Sequence, residues 1–362
     1  MKKNTDFIYL LRFIAAISVV FYHYSPIRNT FINNGDEAVS FFFLLSGFIL
    51  VVAYEKQIAQ NNLSIIPFYV KRIARIYPLY LLALILTLGY HFLVHNEHTH
   101  LQQKLPFEAL MIQTWFYPGS INYPAWSVSC EIFFYVLFPL YIFKLKNLRI
   151  QLAIILAIII LFASVSFSYF AVNLSNSLLK TGLKEGYLYQ HPLFRFPIFF
   201  CGNVLGLMYV KNIKISILPL LGLFLTGCLF VFLWGFKTIH IGSSLKQVGF
   251  LFIYIVLIVI LLQNEAFSMK YLSNKKFTLL GDMSFGIYLL QFPISSFVLL
   301  FTKDFATGIH FFMYLMLLLF CSFLTFQYFE KPARSKIAML FNKGTTKYER
   351  IMTTNQATKQ SS

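Results

Sequence analysis

Long apolar runs separated by short polar segments dominate the chain. A helix that crosses a membrane needs about 20 mostly apolar residues. The runs predict membrane-spanning helices at residues 7–24, 39–54, 76–93, 126–143, 150–172, 193–210, 215–236, 248–262, 277–301 and 309–329. A shorter apolar stretch at 105–116 is expected to lie at the membrane surface or to re-enter the bilayer.

Composition strengthens this assignment. Of the 362 residues, 58% are hydrophobic and only 12% are charged, whereas a soluble globular chain carries about 25% charged residues. The polar segments are short, so we expect the function to reside inside the bundle. The sequence therefore predicts an all-α integral membrane protein, a bundle of about ten transmembrane helices.

Positive charge follows the predicted topology. The chain has 30 Lys and Arg against 13 Asp and Glu, a formal net charge of +17. With the N-terminus in the cytosol, roughly two thirds of the Lys and Arg fall in cytosolic segments, as the positive-inside rule requires. The cations that fall in outer segments are Arg28, Lys104, Lys180, Lys184, Arg195, Lys237, Lys246 and Lys303. Both termini are thus predicted to be cytosolic, and no nucleic-acid partner is needed to explain the charge.

The domain organisation is simple. We assign a membrane domain to residues 1–334 and a cytosolic tail to 335–362, which is basic and then polar and is expected to be disordered at its end. The four cysteines form no Cys-x-x-Cys pair, and we predict no metal site.

Ionisable residues inside spans are costly and are candidates for function. Arg12 and His23 lie eleven residues apart on the first predicted helix, which places them on nearly the same face and roughly 16 Å apart along the axis. Arg12 lies deep in the membrane and needs a partner or water. His23 lies near the outer boundary, where it is either an interfacial polar residue or a base.

Glu131 is the second such residue, and Ser127 shares its helical face. Two interpretations stay open at this stage. Glu131 either forms an ion pair with Arg12 that holds the bundle together, or it orients and polarises His23 as a base. The similar predicted depth of Glu131 and His23 favours the second interpretation.

Arg72 and Arg75 lie three residues apart at the cytosolic start of the third span. Two guanidinium groups on one helical side suit phosphate oxygens. The alternative is that both are ordinary positive-inside anchors.

Several motifs together resemble the membrane acyltransferase family 3. They are LRFIAAISVVFYH at 11–23, SFFFLLSGF at 40–48, RIAR and YP at 72–78, WSVSCE at 126–131, SFGIYL at 284–289 and EKPAR at 330–334. They follow the family's order over nearly the whole chain. Family members often have His where this chain has Gln291, so we expect Gln291 to position other groups.

The resemblance implies a multi-pass enzyme of the bacterial cytoplasmic membrane, in a standalone form without a fused hydrolase-like domain. Such an enzyme is an O-acyltransferase that moves an acyl group, usually acetyl, from acyl-CoA to a hydroxyl of a cell-envelope polysaccharide such as O-antigen or capsule. Acetyl-CoA is then the donor and co-substrate. Some relatives acylate small molecules instead. No feature of the sequence defines an oligomeric state.

These expectations combine into a hypothesis for the mechanism. Arg72, Arg75 and Arg12 bind CoA, and Arg12 also meets the developing oxyanion. His23, aided by Glu131, takes the proton from the acceptor hydroxyl, and Gln291 and Ser46 lie at a similar height. The residues expected to bind or position substrate are Ser46, Trp126, Ser127, Tyr288 and Gln291.

Other mechanisms and functions stay open. An acyl-enzyme on His23, Ser127 or Cys130 is a less favoured variant of the mechanism. The competing class is a transporter or flippase for a glycan or a lipid-linked saccharide, because polar residues inside a bundle also line substrate paths.

Overall fold

The computed structural model describes residues 5–29, 32–94, 99–174, 185–235, 242–302, 304–305 and 307–341. Within these ranges every regular element is helical. Ten helices are long and apolar enough to cross a membrane, which confirms the predicted fold class of a multi-pass helical bundle. These helices are α1 (Phe7–Tyr24), α2 (Ala38–Ala53), α4 (Ile65–Val94), α6 (Trp126–Asn147), α7 (Ile150–Leu174), α9 (Pro192–Val210), α10 (Ile217–Gly235), α11 (Gly242–Gln263), α13 (Lys275–Thr302) and α14 (Gly308–Thr325).

In the part of the chain that the structure describes, the short helices between the long ones are α3 (Glu55–Ala59), α5 (Thr99–Ala109), α8 (Glu185–Gln190) and α12 (Glu265–Phe267). Two long helices extend beyond the apolar runs that predict them. α4 begins at Ile65 rather than at residue 76, and α14 continues through a π-helical turn, Phe326–Glu330, to Phe341. Backbone hydrogen bonding carries a helix through polar residues, whereas the sequence criterion ends a span where apolar residues end. The helix therefore runs past the predicted domain boundary at residue 334.

Contacts between helix ends define two ends of the bundle. At one end Ser273, before α13, donates a hydrogen bond to Asp6, before α1, at 2.8 Å. Lys211 after α9 donates to the carbonyl oxygen of Lys146 near the end of α6, at 2.9 Å. We call this the basic end. The opposite end, where α1 finishes at Tyr24, is called the distal end.

Helices α2 and α9 pack at the shortest backbone separation that glycine permits. A Cβ atom on Gly47 would lie 2.1 Å from the carbonyl oxygen of Phe199, and one on Gly202 would lie 2.1 Å from that of Leu44. Asn203 adds a hydrogen bond across the interface to the carbonyl oxygen of Gly47, at 2.9 Å. Small residues with an interhelical hydrogen bond are the usual means of fixing helices in lipid. Helix α2 is thus held rigidly.

The segment between α4 and α6 is organised by one buried carboxylate. The Glu108 side chain accepts hydrogen bonds from Ile121 N at 2.6 Å, Ser120 Oγ at 2.7 Å, Tyr80 Oη at 3.0 Å and Tyr117 Oη at 3.2 Å. Glu108 is fully buried, and burial raises the pKa of its carboxyl group above the ordinary value. The sequence analysis did not single out this residue.

The position of this network favours re-entry of the predicted 105–116 stretch. Tyr80 lies about 21 Å along the helix axis from Val94, where α4 finishes at the distal end. Its partner Glu108 must therefore lie well below that end, inside the bundle. The segment then leads through a short 3₁₀ turn, Tyr123–Ala125, into α6.

Candidate active site

A cavity with about 680 Å³ of empty space lies toward the basic end, and we call it the arginine cavity. Its walls come from α1, α2, α4, α6 and α13, so every wall is part of a long helix. The polar and ionisable residues in its lining are Arg12, Ser46, Arg72, Arg75, Ser127, Glu131, Tyr135, Ser284 and Tyr288. Seven of the ten sequence-predicted site residues, Tyr288 among them, therefore line one cavity.

The three arginines of this cavity have no carboxylate contact. In the described part of the chain, no carboxylate oxygen lies within 4.0 Å of the Arg12, Arg72 or Arg75 guanidinium group. Arg72 is held by a 3.3 Å hydrogen bond to the hydroxyl of Tyr54 and lies 5.4 Å over the same ring. Guanidinium groups that lack a carboxylate partner in a cavity suit bidentate contacts with phosphate or carboxylate oxygens.

Glu131 is held within the same cavity by two hydroxyl groups. Ser46 Oγ and Tyr135 Oη each donate a hydrogen bond of 3.1 Å to one of its carboxylate oxygens, and the two hydroxyls lie 3.4 Å apart. The ion pair between Arg12 and Glu131, one of the two interpretations from the sequence, is not formed at contact distance. Glu131 instead contributes a negative charge to a cavity that holds three arginines.

A second cavity, with about 870 Å³ of empty space, opens toward the distal end, and we call it the histidine cavity. His23 lies in its wall, with its ring centroid 4.9 Å from that of Tyr22 and 5.4 Å from that of Tyr123. Helix ends and short connecting elements supply most of the lining. The lining residues are Val19, Tyr22, His23, Asp36, Val39, Tyr123, Pro124, Trp126, Gly186, Tyr189, Gln190 and Tyr288.

The expected contact between His23 and Glu131 is absent from the structure. Glu131 lies five residues into α6, about 8 Å below its first residue, whereas His23 packs against Tyr123, which precedes α6. The axial depth of a residue within one helix, counted from its sequence position, does not reveal where the neighbouring helix begins. The carboxylate that shares a cavity with His23 is Asp36.

Ser46 and Gln291 also differ from the expectation that they lie at the height of His23. Ser46 belongs to the arginine cavity through its bond to Glu131. Gln291 is fully buried and lines neither cavity. Its side-chain amide donates to the carbonyl oxygen of Tyr288 in the same helix at 2.8 Å. The positioning role expected for Gln291 stays a prediction.

The remaining predicted positions divide between the cavities. Ser127 lines the arginine cavity, Trp126 lines the histidine cavity, and Tyr288 lines both. Cys130 lines neither of them, and its thiol donates to the carbonyl oxygen of Gln190 at 3.3 Å. The geometry therefore disfavours an acyl-enzyme on Cys130.

Sequence reasoning missed a buried group of charges beside the histidine cavity. Lys246 Nζ lies 2.9 Å from Asp36 Oδ1 and 3.5 Å from Glu37 Oε1. Arg195 is only 1% exposed, its guanidinium lies 3.5 Å from the centroid of the Tyr189 ring, and its Nε donates to the Tyr189 carbonyl oxygen. We call Asp36, Glu37, Arg195 and Lys246 the ionic cluster.

The sequence held only a partial signal for the ionic cluster. Two acidic residues precede the apolar run of α2, and Arg195 and Lys246 are isolated cations in predicted outer segments. Which acid meets which base depends on how α2, α9 and α11 pack. Helical periodicity within one segment does not contain that information.

Comparison with known proteins identifies the class. The family model of the acyltransferase domain matches residues 5–327, so the chain belongs to membrane acyltransferase family 3. This confirms the family inferred from the motifs.

Individual relatives agree with the family. The chain is 34% identical over 125 residues to the acyltransferase MdmB of Streptomyces mycarofaciens, a match covering 32% of this chain and 31% of MdmB. It is 26% identical to YrhL of Bacillus subtilis over 90% of this chain and 54% of YrhL. It is 22% identical to the O-acetyltransferase OatA of Staphylococcus aureus over 80% of this chain and 50% of OatA. The matches thus cover between about a third and about a half of these three proteins. No solved structure matches the chain.

Proposed function

We propose that the protein is an acyl-CoA-dependent O-acyltransferase that moves an acetyl group to a hydroxyl of a cell-envelope polysaccharide. The basic end faces the cytosol and the distal end faces outward across the cytoplasmic membrane. Support comes from the family, from the O-acetyltransferase relative OatA, and from the excess of Lys and Arg in segments at the basic end. The proposal rests above all on two cavities of different chemistry that meet inside one bundle.

The arginine cavity suits the donor. CoA carries several phosphate groups, and Arg72 and Arg75 lie on the basic-end half of α4, the side from which a cytosolic donor enters. The pantetheine arm then extends along the cavity past Arg12. Because the three guanidinium groups have no carboxylate within contact distance, phosphate binding breaks no existing ion pair. Glu131, fixed by Ser46 and Tyr135, offsets only part of the positive charge of the three arginines.

The histidine cavity suits the acceptor. It combines aromatic walls with a few polar groups, the usual composition of a ligand site. Among the described residues of its lining, His23 is the one imidazole, and Asp36 is a carboxylate in the same lining. A neighbouring carboxylate stabilises an imidazolium ion, so Asp36 supports proton uptake by His23 as a positioning residue.

The chemistry then runs in one direct transfer. His23 takes the proton of the acceptor hydroxyl as its oxygen attacks the thioester carbonyl, and a carbon–oxygen bond forms. The carbon–sulfur bond breaks as the tetrahedral intermediate collapses, and the imidazolium returns the proton to the CoA thiolate. The hydroxyl groups of Ser127 and Tyr288 both donate to the carbonyl oxygen of Pro124, at 3.2 and 2.8 Å, so either one would donate to the oxyanion only by giving up that bond.

Transfer by protein reconstituted in vesicles tests the proposal. Radiolabelled acetyl-CoA is trapped inside proteoliposomes or supplied outside, with envelope polysaccharide extract on the opposite side and protein-free vesicles as the control. We expect label on the polysaccharide only when protein is present and only when the donor reaches the basic end, which a protease-accessible tag at the C-terminus identifies. Label that is independent of the side of the donor would contradict the orientation.

The same vesicles examine the two other candidate activities. Movement of labelled saccharide across the membrane without acetyl-CoA would establish the transporter class instead. Label on a small hydroxylated acceptor, with none on polysaccharide, would retain the transferase and change its acceptor.

A further inference from the structure

A third cavity lies between α7, α9 and α11, beside the short helix α8, and we call it the Arg195 cavity. It has about 400 Å³ of empty space, less than either cavity described above. Among its described lining residues, Arg195 is the one charged group, and most of the others are apolar. The polar residues of this lining are Ser164, Ser168, Tyr189, Arg195 and Gln247.

Arg195 is buried without a partner for the forked end of its guanidinium group. The residue is 1% exposed, and its Nε donates to the carbonyl oxygen of Tyr189. Among the described residues, neither Nη1 nor Nη2 of Arg195 has a hydrogen-bond partner. A buried donor that is left unsatisfied is costly, and more so when it carries charge. The two terminal nitrogens are therefore the part of this side chain that still needs acceptor atoms.

The neighbouring acids do not supply those acceptors. In the described part of the chain, no carboxylate oxygen lies within 4.0 Å of the Arg195 guanidinium. Glu37 interacts with Arg195 at longer range. Its carboxylate, however, accepts from Ser40 at 3.4 Å and lies 3.5 Å from Lys246 Nζ. Lys246 also holds Asp36, at 2.9 Å. Both acids of the ionic cluster are thus engaged by Lys246, and Arg195 forms no ion pair.

The rest of the lining adds hydrogen-bond donors beside this cation. Ser164 and Ser168 lie four residues apart, on the face of α7 that lines the cavity. The opposite face carries large exposed side chains such as Phe167 and Phe170. Gln247 of α11 adds a side-chain amide. A guanidinium fork with hydroxyl and amide donors around it is the usual environment of a bound carboxylate or phosphate group.

The cavity lies close to the distal end of the bundle. Arg195 is three residues from the start of α9, and Gln247 is five residues from the start of α11. Ser168 is six residues before the end of α7. These positions are about 5, 8 and 9 Å from the distal ends of their helices. That level is near the boundary between the hydrocarbon core and the lipid headgroups, where the phosphate of a lipid and a soluble anion are both at hand.

We propose that the Arg195 cavity is a binding site for an oxyanion, a carboxylate or a phosphate group. The forked end of Arg195 holds it, and Ser164, Ser168 and Gln247 are further donors. The small free space suits such a group and not a sugar ring. A bound oxyanion also fixes Tyr189, a wall of the histidine cavity, because the Arg195 guanidinium lies 3.5 Å over its ring. The inference goes beyond the proposed function and does not rest on it, because binding is measured without acyl transfer.

The test measures binding through unfolding of the full chain in detergent. A ligand that binds the folded state raises the midpoint of unfolding as its concentration increases, and the dependence gives its Kd. Two pairs of probes are matched except for the oxyanion. Dioctanoyl phosphatidic acid is compared with dioctanoylglycerol, and glucuronate is compared with glucose. Inorganic phosphate separates a lipid headgroup from a free phosphate.

Two variants have matched controls. Arg195→Gln removes the charge and the fork, and Arg149→Gln makes the same change at an exposed arginine outside this lining. Ser168→Ala removes one hydroxyl from the lining and leaves Arg195 in place. Ser166→Ala makes the same change on an exposed part of the same helix. Ser168→Ala also keeps the test decisive if Arg195→Gln does not fold.

For at least one pair, we expect the charged probe to bind about tenfold or more tightly than its neutral counterpart. Arg195→Gln should weaken that binding by about 10- to 100-fold and Ser168→Ala by about fivefold, whereas both controls should stay within about twofold of wild type. Binding of phosphatidic acid alone would identify a lipid phosphate as the ligand. Binding of glucuronate or inorganic phosphate would identify a soluble anion.

Two results would overturn the inference. The first is equal affinity of wild type for the charged and neutral members of both pairs, with no binding of inorganic phosphate, which would leave only water in the cavity. The second is an equal loss in each variant and its control, which would assign the binding to the general positive charge of the protein. Neither result changes the expected acyl transfer.

Discussion

The arginine cavity and the histidine cavity are built in opposite ways. Every wall of the arginine cavity belongs to a long helix, and its key side chains Arg12, Arg72 and Glu131 project from helix interiors. The histidine cavity takes Tyr123 from a 3₁₀ turn, Asp36 from another, and Tyr189 from the short helix α8. Sites on helices are fixed by the fold, whereas sites on connecting segments can vary without changing it.

This difference matches the proposed division of labour. Under the proposed function, the donor occupies the cavity with helical walls and the acceptor occupies the cavity whose walls come largely from connecting segments. Helix packing holds the walls of the arginine cavity, whereas the ionic cluster and the hydrogen bonds of Glu108 hold the walls of the histidine cavity. Changes in the two cavities should therefore have separable effects on donor and acceptor.

The largest expected effect is at His23. His23→Ala should lower kcat for acetyl transfer by about 10²- to 10⁴-fold, the usual contribution of a general base. Affinity for S-ethyl-CoA, a thioether that binds without transferring an acyl group, should remain within about fivefold of wild type, because one hydrogen-bonding interaction contributes only about 1 kcal/mol and His23 lies outside the arginine cavity. Equal losses in transfer and in thioether affinity would mean that the two cavities do not act separately.

The ionic cluster should give the next largest effect, on stability. Lys246→Met leaves Asp36 and Glu37 without their shared cation, and breaking a buried ion pair in this way costs about 3–5 kcal/mol. The free energy of unfolding in detergent measures this loss. Lys71→Met, a change at an exposed lysine, is the control. The double variant Lys246→Met/Glu37→Gln should recover part of the loss. Equal stability of Lys246→Met and wild type would remove the cluster as the support of the histidine cavity.

The sequence predicts much of the arginine cavity and little of the ionic cluster. Arg12 and Glu131 stand out because charged residues inside apolar runs are rare, and Arg72 stands out because it lies three residues from Arg75 at the start of a span. All three do line one cavity. The relation of His23 to Glu131 could not be predicted, because periodicity defines the face of a helix and not its axial offset from a neighbour. The same missing offset hid the pairing of Lys246 with Asp36.

The ten spans themselves follow from hydropathy, because a bilayer demands a long apolar segment for each crossing. Their ends do not. Residues such as Arg72 extend a helix without adding apolar length, so α4 begins well before the predicted span. Glu108 was missed for a related reason, since a single acid in a short segment looks like solvent-exposed sequence until its four donors are known.

A smaller effect is expected at Arg75. Arg75→Ala should raise KM for acetyl-CoA by about 10- to 100-fold, since a hydrogen bond to a charged group contributes about 1.5–3 kcal/mol. Acetyl-pantetheine lacks the phosphates of CoA, so its KM should change little. Arg149→Ala is the control, because Arg149 is exposed and lines neither cavity. Equal changes in KM for both donors would show that Arg75 does not recognise phosphate.

The smallest effect concerns the pH dependence conferred by Glu108. Burial raises its pKa in the folded protein above the ordinary value of about 4.3. The folded state therefore holds this proton more tightly than the unfolded state, so the stabilisation is fully present below about pH 4.3 and is lost as the pH rises through the folded pKa. Within that window the slope is at most about 1.4 kcal/mol per pH unit.

Glu108→Gln should remove this slope, because an amide of the same shape can still pair with the Tyr80 and Ser120 hydroxyls. The free energy of unfolding is measured for wild type and variant across the pH range. The stability of wild type relative to the variant should fall steadily as the pH rises. Tyr117→Phe removes one donor that favours the ionised form of Glu108. In this variant the stabilisation from the protonated carboxyl group should therefore persist to higher pH. A wild-type protein that instead gains stability relative to Glu108→Gln with rising pH would mean that Glu108 is charged in its buried network. The walls of the histidine cavity at Tyr123 and Pro124 would then be held by an anion, and they would loosen on acidification.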